Sequence, residues 1–120
     1  MRIKLTVSTI ILFLTAISGS SFAADAPSPL DEGRSLAFDR NKGNCLACHA
    51  IPGDSKATSP GNIGPALVSM KSRFPSRAKM RAQIWDATER NYNTSMPPYG
   101  KNKILTEAEI DLVTDYILSM

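Results

Sequence analysis

Apolar positions recur at helical spacing in several stretches of the chain, and the segments between them carry proline and glycine rather than the alternation of a strand. The first stretch runs from Pro29 to about Arg40, with Leu30, Gly33, Leu36, Ala37 and Phe38 available to face inward. Glycine inside a helix costs about 1 kcal/mol relative to alanine, so Gly33 implies another helix crossing closely at that point. Asn41-Lys42-Gly43-Asn44 then breaks the pattern. Helical spacing returns from Ala66 to about Phe74, breaks around Pro75, and resumes from about Arg77 to Thr88 with Met80, Ile84 and Ala87 on one face. The last stretch has the clearest start. Thr106 and Glu109 form a Thr-x-x-Glu capping box, with Leu105 and Ile110 at the positions of a hydrophobic staple. Its inward face follows at Ile110, Val113 and Ile117, flanked by Leu112 and Tyr116, and this helix is the expected neighbour of Gly33. No strand pattern and no repeat emerges, so the fold class is all-α, with about four helices.

Two segments resist any period. Ile51 to Pro65 is rich in Pro, Gly, Ser and Asp and reads as a wrapping loop, while Met96-Pro97-Pro98-Tyr99-Gly100 excludes a regular helix between Asn91 and Asn102.

The N-terminus reads as a targeting segment. Arg2 and Lys4 precede an apolar run from Leu5 to Ile17, and Ser21-Phe22-Ala23 supplies a small-x-small cleavage site. Thirteen residues interrupted by threonine and serine fall short of the roughly 20 that span a bilayer, which argues against a stable membrane anchor. The expected organisation is a signal peptide at 1–23 and one domain at 24–120, exported to the periplasm. Removing Arg2 and Lys4 lowers the formal charge from +3 to +1, and nothing resembles a basic nucleic-acid surface.

The chain's two cysteines and its one histidine fall together in Cys45-Leu46-Ala47-Cys48-His49. This is the attachment pattern of a c-type haem: two thiols three positions apart form thioethers to the vinyl groups, and the histidine lies in reach of iron. Cys-x-x-Cys also serves thiol redox chemistry or half a zinc site. A structural zinc needs about four ligands, which no further cysteine or histidine supplies, and a thioredoxin-like protein needs strands. One covalent haem c, held by Cys45 and Cys48, is therefore expected at the centre of an otherwise small core.

His49 being the sole histidine, the second iron ligand must be methionine, lysine or water. Met70 and Met80 lie in helical stretches and read as core filling, and Met120, the last residue of the sequence, reads as mobile. Met96 sits in a proline-stiffened loop, where the residue before proline is held extended. The expected metal ligands are thus His49 and Met96. A filled pair of axial positions favours one-electron transfer over binding at iron. Gly64-Pro65 suggests a further contact, the Pro65 carbonyl accepting a hydrogen bond from the free ring nitrogen of His49.

Together the haem motif, Gly64-Pro65-Ala66-Leu67, the methionine loop and a closing helix with an aromatic residue resemble the class I cytochromes c, whose fold wraps helices around one haem. A closer resemblance is to the SoxX family, the monohaem subunits of SoxAX complexes in bacterial thiosulfate oxidation. It is carried by Leu36-Ala37-Phe38-Asp39-Arg40, Gly43-Asn44 with the haem motif, Met80-Arg81-Ala82-Gln83-Ile84-Trp85-Asp86-Ala87-Thr88, Met96-Pro97-Pro98-Tyr99-Gly100 and Ile104-Leu105-Thr106-Glu107. The resemblance implies an electron-transfer subunit of L-cysteine S-thiosulfotransferase, paired as a heterodimer with SoxA. It implies that the complex joins thiosulfate oxidatively to a cysteine of the carrier SoxYZ. The substrate site is then expected on SoxA, with no catalytic residue on this chain and a soluble cytochrome as electron acceptor. A free-standing periplasmic electron shuttle is the alternative that the haem motif alone allows equally. For a SoxA contact, the expected surface is the haem edge near Leu46, Ala47, Ile51, Pro97, Pro98 and Tyr99.

Overall fold

The computed structural model describes residues 26–120; the expected signal peptide at 1–23 lies outside them. Four α-helices, Pro29–Phe38 (α1), Met70–Arg73 (α2), Arg77–Trp85 (α3) and Glu107–Leu118 (α4), occur among the described residues; three residues separate α2 from α3, long irregular segments join the others, and no strand occurs among the described residues. Single 3-10 turns cover Cys45–Ala47 and Ala87–Glu89.

Local chemistry sets the helix starts. Ser28 caps α1, its hydroxyl accepting from the Asp31 N–H, and Pro29 occupies the first turn where its missing N–H costs nothing. At α4 both arms of the capping box form: the Glu109 N–H donates to Thr106 Oγ1 at 3.2 Å, and the Thr106 N–H to Glu109 Oε2 at 2.8 Å. The staple residues Leu105 and Ile110 are both buried.

α1 and α4 cross where Gly33 leaves room. A Cβ at Gly33 would collide with the Leu112 carbonyl oxygen and lie 2.9 Å from the Tyr116 Cβ. Beside the crossing, the Phe38 and Tyr116 rings meet edge to face, centroids 6.0 Å apart. Met80, Ile84, Ile110, Val113 and Ile117 fill the space between α3 and α4. At the rim of this pair, Arg77 reaches Asp111 and Asp115, while Arg81 reaches Glu107 and Asp111.

The structure corrects two expectations about the elements. Helix does not begin at Ala66. Leu67 donates its N–H to the Ala50 carbonyl at 2.8 Å, and Ser69 takes a left-handed φ of 51°, so only Met70–Arg73 are helical. Met120 is not a loose end either: its carbonyl accepts from the Met70 N–H at 2.9 Å, and its side chain packs against the core.

Although irregular, the segment from Asn91 to Leu105 is anchored at several points. Trp85 lies flat on Gly100, where any Cβ would overlap the indole, and the Trp85 carbonyl accepts from the Gly100 N–H at 3.1 Å. Asp86 is 2 % exposed and accepts from Lys101 Nζ at 2.8 Å and from Thr88. Tyr99 is buried and donates its hydroxyl to the Gly43 carbonyl at 2.6 Å, joining this loop to the turn after α1.

Two predictions follow from these contacts. Gly33→Ala should destabilise the protein by about 1–3 kcal/mol, the usual cost of forcing atoms into a packed crossing, read as a lower melting temperature. Thr106→Ala, which removes only a cap, should cost about 1 kcal/mol. Equal stability of Gly33→Ala and the unaltered protein would mean that the helices slide apart freely. The second concerns pH. The ammonium of Lys101 and the Thr88 hydroxyl hold the Asp86 carboxyl below its ordinary value of 3.8. Its stabilising effect is therefore complete above about 3.8 and is lost as pH falls through the lower folded value. Asp86→Asn should flatten that acid limb of the stability curve and lower stability at neutral pH. An unchanged acid limb in melts across pH would leave Asp86 without this role.

Candidate haem site

The elements enclose a cavity of about 590 Å³, within the range usual for cofactor sites. Cys45, Cys48, His49, Pro65 and Met96, the five site residues singled out from sequence, all border it. One wall is the turn Cys45–Ala47 with the residues following it. Met96 borders the same cavity from the irregular segment before α4. Leu67, Ile84, Val113 and Ile117 supply an apolar lining from three different parts of the chain.

The cysteine wall is shaped by the loop that wraps back along it. Gly61 N–H donates to the Leu46 carbonyl at 2.7 Å, Gly64 N–H to Cys48 at 2.8 Å and Leu67 N–H to Ala50 at 2.8 Å. These bonds run the loop alongside the motif as a strap. Asn44 enters the motif with a left-handed φ of 47°, a conformation asparagine tolerates better than most residues. The strap also seats the histidine. His49 Nδ1 donates to the Pro65 carbonyl at 2.7 Å, since a carbonyl can only accept. That fixes the tautomer and leaves Nε2 as the nitrogen with a free lone pair. A Cβ at Gly64 would lie 2.6 Å from His49 Nδ1, so the backbone presses on the ring face where only glycine fits.

Met96 donates its N–H to Thr94 Oγ1 at 3.1 Å, and its sulfur lies 4.0 Å from Gln83 Nε2. Met70 and Met80 are also on the cavity wall. They are core residues at 2 % and 3 % exposure, so core filling and cavity lining are the same task here. Sequence reasoning overlooked Gln83, Arg73, Phe74 and Arg90, which border the cavity as well. Gln83 stands three positions after Met80, a helical signal that was available. The arginines had none.

The haem-edge expectation is corrected in part. Ile51 is 2 % exposed and Tyr99 8 %, so both belong to the core rather than to a docking surface. Ile51 is turned inward by the strap that ties the motif to Leu67, and Tyr99 by its bond to Gly43. Ala47 and Pro97 are exposed, and Ile63, which borders the cavity, is 72 % exposed.

Alternative chemistries fit the cavity poorly. A dithiol built for exchange lowers the pKa of its attacking cysteine, whereas burial pushes the Cys45 thiol up to about 11. No cluster of three or more His, Cys, Asp or Glu suited to a metal ion occurs among the described residues. A largely apolar cavity bordered by two thiols, an oriented imidazole and a thioether suits a flat, largely apolar macrocycle. No helix among the described residues is long and apolar enough to cross a membrane.

Comparison with known proteins agrees with the site. The cytochrome c family model matches residues 30–120. Among solved structures, the crystal structure of SoxXA from P. pantotrophus superposes with a TM-score of 0.69 over 79 % of this chain and 83 % of that one, at 24 % sequence identity. No curated protein sequence matches significantly. At that identity the structural likeness establishes a shared fold. The family match spans every element that builds the cavity: the chain belongs to the cytochrome c family, and its cofactor is a covalently attached haem c.

Proposed function

We propose that this protein is a periplasmic, SoxX-type cytochrome: the electron-transfer subunit of a SoxAX-like heterodimer that couples thiosulfate to a cysteine of a SoxYZ-type carrier. Carrying this reading is the convergence of Cys45, Cys48, His49 and Met96 on one cavity, in a fold shared with SoxXA. When bound, the haem supplies an iron that changes by one electron between ferric and ferrous.

Each residue has a role that its position supports. Cys45 and Cys48 hold the cofactor through thioethers from the turn at the cavity wall. His49 offers Nε2 to the iron while Pro65 holds Nδ1, which also raises the basicity of the ring. Met96, whose side chain borders the same cavity, offers its sulfur from the loop before α4. With His49 and Met96 both given to the iron, no ligand position would be left there for substrate, so this chain's part would be to accept and release electrons. The thiosulfate chemistry then belongs to the SoxA partner, and a soluble cytochrome takes the electrons onward. The expected signal peptide at 1–23, ahead of a mature domain at 24–120, delivers the chain to the compartment where haem is attached.

The cofactor assignment predicts that Cys45→Ala and Cys48→Ala each impair attachment, since no spare cysteine exists. Mass spectrometry of exported protein should show loss of the haem increment. Met96→Ala should abolish the weak long-wavelength absorption of ferric iron bound to a thioether, and Met80→Ala should retain it. The reverse result would make Met80 the ligand.

For the partner, Ala47→Glu and Ile63→Glu should each weaken co-purification with SoxA at least tenfold while leaving the haem spectrum intact, because both side chains are exposed near the cavity. Native protein that travels alone through purification, or variants that bind SoxA normally, would favour a free-standing shuttle or another docking face.

A further inference from the structure

α3 presents an apolar face to the cavity through Met80 and Ile84, yet the amide of Gln83 stands at the same wall. An amide has a donor end and an acceptor end, and its orientation decides which one Met96 meets. Here the orientation is determined by a neighbour. Arg90 Nη1 lies 3.3 Å from Gln83 Oε1, and a guanidinium has only donors, so Oε1 must face it. Nε2 is thereby turned to Met96 Sδ at 4.0 Å, the outer reach of an N–H···S contact. Arg90 is itself held, its guanidinium stacked over Phe74 at 5.4 Å, and it forms no ion pair with a carboxylate among the described residues, unlike Arg77 and Arg81.

We infer that Gln83 is a positioning residue for the Met96 sulfur, and that Arg90 holds Gln83 in the orientation that presents its N–H to that sulfur. The inference rests on Met96 being the iron's second ligand. A thioether sulfur has two lone pairs. With one directed to iron, a donor at the other withdraws electron density and restrains rotation of the side chain. Ferric iron depends more on ligand donation than ferrous iron does. The Gln83 contact therefore favours the reduced state and raises the reduction potential, and its removal lowers it.

The test uses the holoprotein, with potentiometric titration and the ferric thioether absorption as readouts. Gln83→Leu preserves bulk and removes the donor. It should retain the absorption while shifting the one-electron equilibrium toward the oxidised state by about threefold, the effect of a hydrogen bond at the weak end of the usual range. For one electron this is about 28 mV, at 59 mV per tenfold. Gln83→Ala, also neutral and without an N–H donor, should likewise lower the potential, providing a second variant if Gln83→Leu folds poorly. The Arg90 link is read from a double-mutant cycle: Arg90→Leu should lower the potential less in the Gln83→Leu background than alone. Strictly additive shifts would reduce Arg90 to a distant charge and overturn that half of the inference. An unchanged potential in both Gln83 variants, with Met96→Ala having lost the absorption, would overturn the positioning role while leaving the ligand assignment standing. Retention of the absorption by Met96→Ala would instead remove the ligand assignment and this inference with it.

Discussion

A cavity bounded by loops keeps its shape only if those loops are held against something rigid, and this constraint organises the whole molecule. Both irregular walls are fastened to regular structure or to each other at short intervals. The segment carrying Gly61, Gly64 and Leu67 is stitched to the backbone of the haem motif by three hydrogen bonds of 2.7–2.8 Å. The segment carrying Met96 is fixed by Trp85 on Gly100, Lys101 on Asp86 and Tyr99 on Gly43. Behind both stands the α1 and α4 crossing, which closes only because Gly33 has no side chain. Remove that crossing and the turn before Cys45 loses its footing, since the Gly43 N–H bonds to the Leu36 carbonyl on α1.

This arrangement explains how a domain of modest size can orient two candidate ligands that lie far apart in sequence. His49 is positioned locally, by a ring contact with Gly64 and a hydrogen bond to Pro65. Met96 is positioned at a distance, through Tyr99, Gly100 and Lys101, which follow it and are pinned to the end of α3 and to the turn after α1. The two mechanisms differ in what disturbs them. Local seating responds to changes in the strap, whereas Met96 responds to changes in helix packing and in the Asp86 ion pair.

Much of this was legible in the residue pattern, and for identifiable reasons. The capping box at Thr106, the Met80 and Ile84 face of α3, the inward face of α4 and the close approach at Gly33 are local or periodic signals that the structure realises, whereas Ala87, expected on the same helix as Met80 and Ile84, falls in a 3-10 turn after α3 ends at Trp85. The haem motif was legible because its spacing has few competing chemical uses once further cysteines and histidines are absent. What escaped notice was non-local. Ile51 and Tyr99 look like apolar loop residues at a haem edge, but long-range hydrogen bonds involving their segments turn them into the core. Ala66–Ser69 carries helix-forming residues, yet its backbone is committed to the strap. Arg73 and Arg90 reach the cavity from exposed positions, and no periodicity marks a cation that bends inward.

The run Ile84-Trp85-Asp86-Ala87-Thr88 shows why a family signature and a binding surface should be read separately. Its residues are accounted for by the architecture: Ile84 and Ala87 are core, Trp85 covers Gly100, and Asp86 ties down Lys101 and Thr88. Such a signature reports how the methionine loop is anchored. Partner choice, by contrast, must be expressed by side chains that remain free to meet another molecule. Ile63 borders the cavity at 72 % exposure, and Tyr92, at 89 %, stands between Asn91 and Asn93, which also border it. Exposed apolar residues scattered singly are ordinary, and only a contiguous patch marks a binding face. The residues of this run therefore mark the fold, and changes to the exposed side chains at the opening leave these buried anchors untouched.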